Sequence, residues 1–96
     1  MPAQTRERTT EQREKLTEAK NYLRVDHDED DELILALLDA GEEYLRNAGV
    51  KPSEDKLYRL AVMLYAATQY EHRDGSQKSD GFSYALQSII LQLRLG

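Results

Sequence analysis

Leu16, Ala19 and Leu23 recur at helical spacing in an otherwise polar stretch, which predicts a short amphipathic helix with one narrow apolar face. Val25 interrupts that pattern. A stronger run follows in Ile34, Leu37, Leu38, Gly41 and Leu45, predicting a second helix from about Asp30 to Asn47 with a single buried stripe. Gly41 sits in the middle of the stripe, where it costs about 1 kcal/mol relative to Ala, so a close helix crossing is the expected compensation. Gly49 suits the left-handed position that ends a helix, and Pro52 blocks continuation.

Ser53 is the expected N-cap of a third helix, with Glu54 and Asp55 in its first turn. Leu57, Leu60, Ala61 and Leu64 make the main stripe. Val62, Met63, Tyr65 and Ala66 spread apolar surface over most of the circumference, as in a helix buried on several sides. Residues 74 to 83, DGSQKSDGFS, read as a Gly- and Ser-rich loop. Leu86, Ile89, Ile90 and Leu93 then predict a last helix. No strand pattern occurs, so the expected fold is all-α, a small antiparallel bundle of about four helices.

Between the first two helices runs a very acidic connector, VDHDEDDE, in which Asp28 or Asp30 is placed to cap the second helix and the remaining acids suit its N-terminal dipole. Asp26, Asp28 and Asp30 alternate as the first ligands of an EF-hand do, but Asp31 stands where that loop needs Gly and Leu37 where it needs Glu. A solvated helix start is therefore expected, with no metal and with His27 exposed. Before Leu16, residues 1–15 read as a charged N-terminal arm. Thr9 and Gln12 form a capping-box pattern that starts the first helix early; a frayed arm is the competing expectation. Residues 16–96 make up the helical domain.

Ninety-six residues allow one domain that buries only roughly 60 to 70% of its extended surface, so burial is expected to be completed in an assembly. A formal charge of -5 argues against grip on a phosphate backbone and against sequence-specific DNA binding. There is no cysteine, which removes disulfides and thiolate metal sites and suits a reducing cytosol. No secretory signal is expected from the polar, charged N-terminal stretch. The longest apolar run, Leu60 to Ala67, falls far short of the about 20 residues that span a membrane, so a soluble intracellular product is expected. HExxH, GxSxG and the phosphate-cradling glycine-lysine loop are all missing. No enzyme activity, catalytic residue or cofactor is expected.

Four segments, TEAKNYLRVDHDEDDELI, the Glu42, Glu43, Tyr44, Leu45 stretch leading to Gly49, LAVMLYAATQYEHR and IILQLR, occur in that order through most of residues 17 to 94. In this order and spacing they resemble the head-tail connector (adaptor) proteins of tailed bacteriophages, the small all-helical connectors of siphophages. The resemblance implies a virion structural protein that binds below the portal ring after genome packaging and self-associates into a ring, twelvefold like the portal. It would extend the DNA channel and give the stopper or tail-completion protein a platform. Genomic DNA would pass through without sequence-specific binding, and no membrane would be involved. The implied location is the head-tail junction of the virion, with the host cytoplasm during assembly.

An acidic channel lining fits that role, because negative charge repels phosphate and lets DNA slide. A head-to-tail ring needs two different faces on each subunit. Val62, Met63 and Tyr70 are candidates for a subunit or portal interface, against the alternative that they complete the core. Arg73 and Arg94 match the ends of the corresponding family helices, which allows salt bridges between subunits; the alternative is that each answers its own helix dipole. A different class of function is a small acidic helical regulator, antitoxin-like or anti-repressor, that binds one protein partner. A helix-turn-helix DNA reader ranks below both, since Glu54 and Asp55 at the start of the third helix repel phosphates.

Overall fold

The computed structural model describes residues 8–73 and 80–95, without the side chains of 80–83. Four helices follow one another: α1 (Thr10–Leu23), α2 (Asp31–Asn47), α3 (Lys56–Glu71) and α4 (Asp80–Leu95). There is no strand among the described residues, and the fold is a small all-α bundle.

Thr9 caps α1 with a complete capping box: its hydroxyl accepts from the Gln12 N–H, and the Gln12 side chain accepts from the Thr9 N–H. Helix therefore begins inside the stretch that composition marks as a charged arm, because two otherwise orphaned N–H groups are satisfied locally. At the other end Arg24 takes a left-handed conformation with φ 62°, and the Val25 N–H reaches back to the Lys20 carbonyl at 2.9 Å. The turn aims the chain into the acidic connector.

α2 and α3 form the central pair. Gly41 is buried, and a Cβ added there would lie 3.2 Å from the Val62 carbonyl oxygen and 3.3 Å from the Tyr65 ring. The glycine lets the two backbones approach, as its place in the stripe predicts. Beside it the Tyr44 and Tyr65 rings meet at a centroid distance of 5.0 Å. Gly49, with φ 94°, ends α2 in a Schellman motif: its N–H donates to the Arg46 carbonyl, and that of Val50 donates to Leu45. Leu45 and Val50 are both buried, the apolar contact that accompanies this motif.

α3 starts later than the sequence predicts. Its N-cap is Asp55, no acid lies in its first turn, and the Ser53 hydroxyl accepts the Asp55 N–H in a tight turn before the helix. That local hydrogen bond competes with capping. The buried side of α3 also differs: Tyr58, Ala61, Val62, Met63, Ala66, Ala67, Thr68 and Tyr70 are buried, whereas Leu60 is exposed. Packing by α2 and α4 on the same helix sets a broader buried arc than a single stripe describes.

In α4, Leu86 and Ile90 are buried, with Ile89 and Leu93 packed beside them. Its backbone is helical from Asp80, so residues 80 to 83 are not the loop predicted for them; the rest of that stretch, 74–79, lies outside the described residues. α4 packs mainly on α3, and α1 packs on α2 and α3. Among the described residues no helix is long and apolar enough to cross a membrane.

Candidate functional site

The acidic connector is solvated over residues 26–29, as expected, and is also clamped by cations from outside it. Lys20 reaches both Asp28 and Asp31 at 2.8 Å, and Arg8 bridges to Glu32 at 2.8 Å and lies 4.0 Å from Asp31. Asp31, at the first position of α2, is buried, which a carboxylate tolerates when paired. Hydrogen bonding to Asp28 and then to Asp31 holds the Lys20 ammonium above its ordinary range, and Lys20 holds the Asp28 carboxyl below its own. Asp30 occupies the N-cap position, but its side chain makes no cap hydrogen bond. Its carboxylate instead accepts the Tyr70 hydroxyl at 2.5 Å.

The three alternating aspartates therefore part company. Asp28 goes to Lys20, Asp30 to Tyr70, and Asp26 is exposed without an ion-pair partner among the described residues. No group of three or more potential ligands that could hold a metal occurs among the described residues. His27 is exposed, and its Nδ1 accepts the Glu29 N–H at 3.3 Å.

Of the five interface candidates, Val62, Met63 and Tyr70 are buried within the chain. Tyr70 ties the end of α3 to the start of α2 through Asp30, and the Arg73 guanidinium lies 3.9 Å over its ring while also donating to its carbonyl. The hydrogen bond to Asp30 and then burial push the Tyr70 hydroxyl above its usual range. Tyr70 and Arg73 thus form one cluster, with Arg73 exposed. Arg94 is exposed at the end of α4, over Gly49, where it faces the C-terminus of α2 as well as ending its own helix.

Val62 and Met63 come together in another way, on the floor of a cleft of about 490 Å³ between α1 and the start of α3. Leu38 and Tyr58 complete that floor. Acids dominate the rim: Glu11, Glu14, Glu18, Glu42 and Glu54 stand against Lys15 and Arg59. Both cations are already engaged, Lys15 by Glu42 at 2.8 Å and Glu11 at 3.6 Å, Arg59 by Glu18 at 2.7 Å. Glu14 and Glu54 have no ion-pair partner among the described residues. The cleft is apolar below and negative above.

α4 presents the second surface, and the predicted stripe does not contain it. Tyr84, Leu91 and Leu95 are 78%, 56% and 80% exposed. At 100° per residue they cluster on the side of the helix opposite Leu86 and Ile90. Their spacing of seven and eleven residues was available in the sequence as a second apolar face.

A family model, phage gp6-like head-tail connector protein, matches residues 13–94, a span that reaches into all four helices. No curated protein and no solved structure matches the chain.

Proposed function

The chain belongs to the phage gp6-like head-tail connector family, and from that premise we propose that it binds below the portal ring after genome packaging. It is a structural phage protein; the finer assignment concerns where it sits and what it touches. In this reading twelve copies form a ring matching the portal, extend the DNA channel and give the stopper or tail-completion protein its platform. The observation that carries the reading is the family match from α1 through α4.

Two features support it. A formal charge of -5, with Asp26, Glu29 and Asp39 exposed and unpaired among the described residues, suits a lining past which DNA slides. The apolar outer face of α4 gives a subunit that is incomplete alone, as a ring component is. Of the interface candidates, Arg73 and Arg94 have surface to offer a partner, whereas Val62 and Met63 reach one only through the cleft. Electron microscopy of particles produced with the gene deleted, beside complemented controls, tests the assignment. DNA-filled or leaking heads separated from finished tails are expected; normal infectious particles would remove the protein from the head-tail junction and favour the acidic regulator.

A further inference from the structure

We propose that the last turn of α4 of one copy, carrying Leu91, Arg94 and Leu95, seats in the cleft between α1 and α3 of the next copy. The inference rests on the ring reading above and names the contact that builds the ring. The two surfaces are complementary in both respects that matter. One is a convex apolar pair, Leu91 and Leu95, with an exposed cation between them in sequence. The other is concave, with Leu38, Val62 and Met63 below and a rim whose cations Lys15 and Arg59 are already engaged by its own acids.

Seating the leucines removes apolar area from water, and Arg94 gains Glu14 or Glu54, carboxylates that no cation holds among the described residues. A cleft of about 490 Å³ lies within the range of pockets that enclose compact apolar groups.

The placement of the two surfaces fits closure. Both lie beside the segment joining α2 to α3: Arg94 rests over Gly49, and Pro52, Ser53 and Glu54 line the cleft. α1 and α4 each pack on α3 and much less on one another, so the two surfaces belong to different flanks of the subunit at the same end of the bundle. A contact between unlike surfaces at equal height is heterologous and generates a closed ring when the rotation is right; a large offset in height would give an open helix.

Cysteine crosslinking tests this contact, since the natural chain has no cysteine to interfere. Full-length chain carrying both Glu14→Cys and Leu95→Cys, concentrated in solution and incorporated into particles, is treated with a short bis-maleimide. A ladder of multimers from the paired variant, missing from each single variant, is expected. Charge reversal supplies a second readout: Arg94→Glu and Glu54→Arg should each weaken self-association at least tenfold, and together restore most of it. Rings or particles that incorporate the paired variant without a ladder, and ignore both charge reversals, would overturn this contact while leaving the connector role standing. A chain that neither self-associates nor enters particles would overturn the ring reading and this contact together.

Discussion

α1 and α4 flank the same central pair of helices and are held there by opposite means. α1 buries only Leu16 and Ala19 and is fastened by charge, with Lys15 on Glu42, Lys20 on Asp31 and Glu18 on Arg59. α4 makes no ion pair among the described residues and docks through Leu86, Ile89, Ile90 and Leu93, yet it turns a second apolar face outward. The two more exposed pairs, Lys15 with Glu42 and Glu18 with Arg59, contribute about 0 to 1 kcal/mol each. In the more buried pair of Lys20 with Asp31, desolvation offsets much of the attraction, so charge positions α1 more than it stabilises it. The difference teaches what each flank still offers: Lys15 and Lys20 of α1 are paired inside the chain and leave a negative cleft beside α3, whereas α4 exposes the apolar side chains Tyr84, Leu91 and Leu95.

Substitutions can break that comparison, and the largest effect belongs to the shared centre. Ile34, essentially inaccessible, should cost about 4 kcal/mol as Ile34→Ala in urea unfolding, from lost burial and the cavity left behind. Gly41→Leu should cost about 3 kcal/mol by forcing α2 off the Val62 carbonyl, with loss of the near-ultraviolet signal of the Tyr44 and Tyr65 pair. Tyr70→Phe leaves Asp30 without its hydroxyl donor and should lower stability by about 1 to 2 kcal/mol.

Acid tests the charged fastening of α1 directly. Lys20 holds the Asp28 carboxyl below its usual range, so the folded pKa lies under the unfolded one. The stabilisation from this pair is therefore complete above about pH 4 and is lost as pH falls through the lower folded value. Melting temperature should drop below pH 4, and the drop should be shallower in Asp28→Asn. The smallest effect on stability belongs to α4: Leu91→Ser should change it by less than about 0.5 kcal/mol, since the side chain is largely exposed.

Much of the bundle was legible because its cues are local. The capping box at Thr9 and Gln12 and the Gly49 stop follow from residues within one turn, the Gly41 crossing from its place in the stripe of a single helix, and each is present. What was not legible depends on register between helices. Nothing near Asp31 in sequence says that Lys20 and Arg8 converge on it, and Tyr70 meets Asp30 only because α2 and α3 run side by side. Val62 and Met63 look like surplus surface in a single helix, whereas the broad packing of α3 buries them. The outer face of α4 was visible as spacing, but the buried stripe alone was enough to predict the helix.

The central claim is that α4 carries the unfinished surface through which this connector assembles. Complementation of the gene deletion with a Leu91→Glu, Leu95→Glu chain, scored by electron microscopy with circular dichroism of the purified variant beside it, tests that most directly. Unchanged helicity with heads that remain separated from tails is the predicted result. Joined, infectious particles in wild-type numbers would contradict it.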